Sequence, residues 1–146
     1  MTMEAWGQEY KPNQDWCHAW GTAPASYLVR HLAGIQPITP GFGEVEIKPQ
    51  PGSVKWVALN YQTIRGAIEE RFENKPDSFS LQLTLPGNTT GRVYLPFHSG
   101  KGGIKSGKAV IKMDGHVLNI SYHEGYYRIP NVRPGRHYFE ICRNTR

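Results

Sequence analysis

The 146-residue sequence predicts a mainly β protein, an antiparallel β-sandwich of about eight strands that follows an N-terminal helical segment. Two observations predict this fold. From Glu44 onward, apolar and polar residues alternate with a period of two, which is typical of strands with one buried face. Pro-Gly and Asp-Gly pairs recur between these runs and mark tight turns. The roughly 100 residues that follow are enough to build a core of their own.

The N-terminal segment, 1–42, is expected to contain one helix. Asn13 or Asp15 would cap its start, and Gly34 would follow its last turn, because these residue types favour those positions. Apolar residues fall on two of its faces, and such a helix is normally buried in a larger assembly. The first 40 residues also hold three of the four tryptophans, Trp6, Trp16 and Trp20. One helix cannot bury that much aromatic surface by itself.

A Pro-rich tether, 36–41, is expected to lead into the sandwich region, 43–146. The predicted strands are 44–48, 54–61, 64–72, 79–85, 92–95, 109–113, 117–122, 126–129 and 137–143. Asp114-Gly115 falls between two of them and predicts a hairpin. The only adjacent acidic pair, Glu69-Glu70, lies in a predicted strand and is interpreted as surface charge.

Charge and hydropathy exclude several classes of protein. The formal net charge is +5, and the excess is spread along residues 43–146, which hold fifteen basic and nine acidic side chains. No nucleic acid is expected as a partner, because the sequence lacks a basic stripe with stacking aromatics. The densest basic cluster is interpreted as a solvated hairpin tip: Lys101, Lys105, Lys108 and Lys112. No membrane contact is expected, because the sequence contains no run of 18 apolar residues.

The two cysteines, Cys17 and Cys142, lie far apart and lack the spacing of metal ligands. No disulfide framework, metal or other cofactor is therefore predicted. Cys17 stands between Trp16 and His18 in an apolar stretch, so it is expected to be a buried thiol.

One part of the sequence has the composition of a carbohydrate pocket. Glu4 lies two residues before Trp6, and His18 lies among aromatic residues at the expected helix start. Tryptophan faces stack on the apolar faces of sugars, while a carboxylate and an imidazole supply hydrogen bonds. A surface carboxylate and a core histidine are the alternative, which composition alone favours.

Several motifs are more specific than composition. They are EAWG at 4–7, HAWGTAPA at 18–25, LAGI at 32–35, PGF at 40–42, TIRG at 63–66 and PGNTT at 86–90. Together they resemble the end of the catalytic domain and the C-terminal β-sandwich of bacterial α-L-rhamnosidases, glycoside hydrolase family 78. The resemblance extends from Met1 to about residue 96. Beyond it, only the rhythm of the strands supports the comparison.

The resemblance implies a division of the chain and a set of roles. Residues 1–42 would be the end of an (α/α)6 catalytic barrel, and 43–146 would be the sandwich domain. The family hydrolyses terminal α-L-rhamnosyl residues with inversion, using a general acid and a general base. Glu4 matches the base, His18 matches a histidine that contacts the bound rhamnose, and Trp6 would form part of the pocket wall. The family's acid lies upstream in an Arg-Asp-Glu type motif that this sequence lacks, so the chain alone is expected to be inactive.

Two other interpretations stay open at this point. The sandwich would bind carbohydrate without catalysis, or it would only support the barrel, since nothing in 44–146 gathers an acid, a base or metal ligands. The carbohydrate partner of the full enzyme would contain L-rhamnose. The apolar N-terminal segment would be covered by the sandwich, by a second copy in a homo-oligomer, or not at all. Any secretion signal would precede Met1, so localisation is left open.

Overall fold

The computed structural model describes residues 3–96 and 109–143 and shows a mainly β architecture. The strands are β1 (Ile35–Pro37), β2 (Glu44–Ile47), β3 (Trp56–Thr63), β4 (Gly66–Lys75), β5 (Ser78–Leu85), β6 (Thr90–Pro96), β7 (Ala109–Met113), β8 (His116–Leu118), β9 (Tyr122–His123), β10 (Tyr126–Val132) and β11 (Gly135–Arg143). They form a five-stranded sheet with the order β1-β2-β6-β10-β9 and a six-stranded sheet with the order β3-β4-β5-β11-β7-β8.

Nearly all neighbouring strands run antiparallel, and β2 with β6 is the one parallel pair in the described part of the chain. The predicted class, an antiparallel β-sandwich after an N-terminal helical segment, is confirmed. The described residues contain more than the eight or so strands expected, because short strands at 35–37 and 122–123 complete the five-stranded sheet. The predicted division between residues 42 and 43 stays a prediction.

The core lies between the two sheets and contains alternate residues of each strand. Ile68, Phe72 and Leu81 of the six-stranded sheet are fully buried, as are Ile47 and Val93 of the five-stranded sheet. Burying an aliphatic or aromatic side chain of this size contributes about 1.5–3 kcal/mol relative to leaving it in water. The apolar residues that recur with a period of two in the sequence are therefore the ones whose burial holds the two sheets together.

The N-terminal helical segment begins later than predicted. It consists of a 3₁₀ turn at Ala19–Thr22, a short α-helix, α1, at Ala23–Tyr27 and a π-helical turn at Leu28–Ala33. The expected caps, Asn13 and Asp15, do not start it. The backbone N–H of Asp15 instead donates to the Glu4 carboxylate, and the Asp15 carbonyl accepts from the Glu4 N–H. Among the described residues no helix is long and apolar enough to cross a membrane.

The predicted end of the helical segment is confirmed at Gly34. This residue adopts a left-handed conformation with φ of +76°, which glycine accepts without steric cost. A Cβ atom there would lie 1.9 Å from the backbone oxygen of Lys48. The Lys48 N–H also donates to the Gly34 carbonyl at 3.0 Å. The end of the helical segment is thereby fixed to the chain just after β2.

Two expectations about the segment before β2 are wrong. Cys17 is exposed rather than buried, because it precedes the helical segment and lies on the surface. The tether is not a plain connection, because Ile35 is buried in the core and β1 pairs antiparallel with β2, with Ile35 opposite Ile47.

The interpretation of Glu70 as surface charge is also wrong. Its side chain is only 2% exposed, because strand alternation places it on the same face of β4 as Ile68 and Phe72. Its register neighbours on the flanking strands are Leu59 and Leu83. Neither carboxyl oxygen has a hydrogen-bond partner within residues 3–96 and 109–143. This burial raises the pKa of Glu70 well above its usual value, so the group favours its neutral, protonated form.

The predicted hairpin at Asp114-Gly115 joins β7 to β8, and both residues have positive φ, at 51° and 83°. Positive values at both central positions are typical of the type I′ turn, which matches the twist of a two-residue hairpin. Of the predicted basic cluster, Lys112 lies in β7. Lys101, Lys105 and Lys108 lie outside the described residues.

Candidate active site

The first of the predicted site residues, Glu4, lies in an irregular segment before the helices and is held on both sides. The Lys11 ammonium donates to Glu4 Oε1, and the backbone N–H of Asp15 donates to Oε2 at 3.2 Å. Its side chain is 20% exposed. The hydrogen bond from Lys11, followed by that from the Asp15 backbone, lowers the pKa of Glu4. The carboxylate is therefore ionised at neutral pH.

Backbone contacts position Glu4 against the chain that enters the helical segment. The Glu4 N–H donates to the Asp15 carbonyl at 3.1 Å, and the Ala5 N–H donates to Gln14 Oε1 at 3.2 Å. Gln14 is one of the few buried polar residues in the described chain, at 7% exposed. This contact satisfies the buried amide oxygen, while the amide Nε2 has no hydrogen-bond partner among the described residues.

The structure brings His18 close to Glu4. The imidazole Nδ1 lies 3.7 Å from Asp15 Oδ2, and the side chain is 27% exposed. Glu4, Asp15 and His18 each have one carboxylate oxygen or imidazole nitrogen within 4.8 Å of such an atom in the other two. The carboxylate and imidazole that the sequence predicts for one pocket therefore share one place in the fold.

The same three side chains are spaced closely enough to hold a metal ion. However, the Lys11 ammonium already bonds one oxygen of Glu4 and compensates its charge. A carboxylate paired with a lysine and lying near an imidazole is also an arrangement for accepting a proton or for bonding sugar hydroxyls.

Trp6, the third predicted site residue, is 97% exposed, so it has almost no packing contact with the described part of the chain. Other large aromatic side chains of the N-terminal segment are also exposed: Tyr10 at 73%, Trp16 at 51% and Trp20 at 82%. The segment that contains Glu4 and His18 therefore presents aromatic surface to solvent. The role of Trp6 as a pocket wall stays a prediction.

Sequence reasoning missed Lys11, which bonds the Glu4 carboxylate, and Gln14, which bonds the neighbouring Ala5 N–H. Both lie in a stretch without periodicity, so no pattern pointed to them. The spacing of seven residues between Glu4 and Lys11 corresponds to no regular element that would bring the two together. The available signal was general: a carboxylate near a lysine in an irregular segment.

Comparison with known proteins identifies the family. The profile of the bacterial alpha-L-rhamnosidase C-terminal domain matches residues 34–109, just over half of the chain. The chain belongs to this family. The matched range begins at Gly34 and covers the structure from β1 to the start of β7.

Individual relatives agree with this assignment. An alpha-L-rhamnosidase of Streptomyces avermitilis is 29% identical over 80 residues, which are 54% of this chain and 8% of that protein. Among solved structures, an alpha-L-rhamnosidase from Dictyoglumus thermophilum matches 85% of the chain with a TM-score of 0.72 and 23% identity. The Streptomyces avermitilis alpha-L-rhamnosidase complexed with L-rhamnose matches 96% with a TM-score of 0.69 and 20% identity.

These matches confirm the resemblance read from the motifs and the fold of the rhamnosidase C-terminal sandwich. The chain spans only 14% and 13% of the two solved rhamnosidases, respectively. The family domain is thus a small part of the enzymes in which it occurs.

Proposed function

We propose that this chain is the C-terminal part of an inverting α-L-rhamnosidase, in which Glu4 is the general base and His18 contacts the rhamnosyl residue. One observation carries the proposal: an ionised carboxylate, held by Lys11, lies close to an imidazole in a segment rich in exposed tryptophan. The sandwich supports this segment and contributes no catalytic group.

The state of its carboxyl group supports the proposed role of Glu4. A general base must be ionised to take a proton from the attacking water, and the pairing with Lys11 keeps Glu4 in that form. Its 20% exposure leaves it accessible to a water molecule. A base of this kind contributes about 10²–10⁴-fold to the rate.

The general acid of the proposed enzyme comes from outside this chain. Inversion requires the two carboxyl groups to be about 6.5–9.5 Å apart, so that a water molecule fits between the base and the sugar. Asp15 does not meet this requirement, because its carboxylate lies within 4.8 Å of Glu4 in the group formed with His18. Asp15 instead lies beside the imidazole, with its Oδ2 3.7 Å from His18 Nδ1.

Two measurements test the proposal. The 146-residue chain alone should not hydrolyse an aryl α-L-rhamnoside, and clear turnover that Glu4→Gln abolishes would contradict this. The second uses a chimera in which the chain replaces the matching region of the Streptomyces avermitilis enzyme, which aligns with 96% of it. There, Glu4→Gln should lower kcat about 10²–10⁴-fold. Glu9→Gln, the same change at a nearby exposed carboxylate, should leave kcat unchanged.

The stereochemistry of the product gives a further check. Proton NMR of the first sugar released by the chimera should show the inverted anomer. Retention would sink the proposed role of Glu4, because it would indicate a pair of carboxyl groups about 5–5.5 Å apart, closer to the spacing of Glu4 and Asp15. Unchanged kcat in the Glu4→Gln chimera would have the same consequence.

A further inference from the structure

A groove of about 630 Å³ lies on the outer face of the five-stranded sheet, outside the candidate active site. It is lined by side chains of β6 and β10 whose strand neighbours point into the core. Tyr94 of β6 is opposite Arg128 of β10, and Tyr126 is opposite Pro96. Lys48, the residue after β2, reaches the groove from the neighbouring strand.

Two tyrosine rings hold the Lys48 ammonium in this groove. Its Nζ lies 5.3 Å from the ring centre of Tyr94 and 4.9 Å from that of Tyr126. The two rings meet edge to face, with centres 6.2 Å apart. Attraction between a cation and aromatic faces positions the ammonium but satisfies none of its three N–H donors with an oxygen. Among the described residues, Lys48 has no carboxylate partner.

Arg128 provides a second positive charge without a carboxylate partner in the described chain. By contrast, Arg92 on the same face bonds Glu44 at 2.5 Å. Two carboxylates lie in or near the groove: Glu124 lines it and lies 3.8 Å from His123, and Glu46 lies close enough to Tyr126 to help raise the pKa of that phenol. Arg128 thus offers a planar set of donors, the geometry that binds a carboxylate through two parallel hydrogen bonds.

We infer that this groove binds a carboxylated saccharide, a sugar chain that contains uronate residues. Arg128 and Lys48 would bind the carboxylate, and the tyrosine rings would contact the C–H faces of the sugar. Asn119 and Ser121, which also line the groove, would bond its hydroxyls. A neutral sugar would leave both cations unpaired, and a small inorganic anion would not use the aromatic rings. The inference goes beyond the proposed hydrolysis, because it requires no catalytic group.

A second groove, of about 490 Å³, lies beside the exposed Trp56 and also holds a cation against an aromatic ring, since the Arg71 guanidinium lies 5.9 Å from the centre of the Trp56 ring. It differs in the partners of its cations, because Arg71 and Lys75 both pair with Glu73, at 3.4 and 3.0 Å, while Lys55 also lines the groove. It serves as the control groove, because Arg71 is a cation beside an aromatic ring that already has a carboxylate partner.

The test is a titration of the 146-residue chain with tetragalacturonate, followed by calorimetry and by NMR. Saturable binding is expected, and the methyl ester of the same tetrasaccharide, which keeps the shape and loses the charge, should bind at least tenfold more weakly. Equal affinity for the acid and the ester would overturn the inference, as would the absence of saturation at millimolar concentration. Equal affinity for inorganic sulfate would also overturn it, because the groove would then be a general anion site.

Variants then locate the binding. Arg128→Gln and Lys48→Met should each raise the Kd about tenfold, the loss expected for one hydrogen bond to a charged group. Arg71→Gln in the control groove should change nothing, and an equal loss there would refute the assignment. Glu4→Gln should leave this binding unchanged. The outcome is therefore separable from that of the proposed hydrolysis, which depends on Glu4 and is measured as turnover.

Discussion

The buried carboxyl of Glu70 should make the stability of this protein fall as pH rises. Its side chain is 2% exposed and lies opposite Leu59 and Leu83, and its oxygens have no hydrogen-bond partner in the described part of the chain. Below the usual pKa of about 4.5, the group is protonated in both the folded and unfolded chain, so its titration adds no cost to folding there. Above that value the unfolded chain loses the proton while the folded chain keeps it.

The size of the effect follows from this difference in bound protons. Each pH unit above the unfolded pKa should lower the free energy of unfolding by about 1.4 kcal/mol, until the pH passes the raised folded-state pKa. Beyond that point the carboxylate is charged in both states and the loss levels off. Glu70→Gln removes the titration, so its stability relative to wild type should rise with pH at that slope. Glu70→Leu also removes the buried polar group and should be the most stable of the three at neutral pH.

The measurement is urea unfolding of wild type and each variant at a series of pH values from 4 to 8. The difference between wild type and Glu70→Gln isolates this carboxyl, because the two proteins have every other ionisable side chain in common. Glu69→Gln changes the adjacent, exposed glutamate of the same strand and should leave the slope of wild type intact. Parallel curves for wild type and Glu70→Gln would refute the reasoning, because Glu70 would then ionise as an ordinary carboxyl.

Two further predictions concern the N-terminal segment and its junction with the sandwich. Lys11→Met removes the main cause of the lowered pKa of Glu4. The acid limb of the pH–rate profile of the chimera should therefore move to higher pH. If this limb does not move, Lys11 does not set the pKa of Glu4. Gly34→Ala should lower the free energy of unfolding by at least about 1 kcal/mol. The added Cβ would clash with the Lys48 carbonyl oxygen, and alanine would be strained in the left-handed conformation that Gly34 adopts. Gly52→Ala, at φ of +52° with no atom within 4 Å, measures the strain alone, and thermal unfolding of both variants should show the larger loss at Gly34.

The strand pattern could be predicted from the sequence because burial on one face imposes a period of two. The same rule could have placed Glu70 correctly. It shares the parity of Ile68 and Phe72 on β4, and only its charge suggested solvent. Charge is a weaker guide than parity here because a glutamic acid can enter a core by keeping its proton.

Local signals failed where tertiary contacts decided the structure. Asp15 has the chemistry of a helix cap, but its backbone instead bonds the side chain and backbone of Glu4. The strand at Ile35 is too short for periodicity, and its pairing with Ile47 forms only across the sheet. For the candidate site, Glu4 and His18 came from the resemblance, while the contact with Lys11 had no signal in the sequence.

The junction at Gly34 has a consequence for how a long substrate would be handled. Backbone hydrogen bonds join Gly34 to Lys48 and Leu32 to Gln50, each at 3.0 Å. The end of the helical segment is thus tied directly to a residue that lines the groove. A polysaccharide bound in the groove would be tethered to the molecule. Its free ends would then reach the candidate active site at an effective concentration that depends on the length and stiffness of the sugar chain between the two sites. Two weak contacts on one chain would then select long acidic saccharides over short neutral ones.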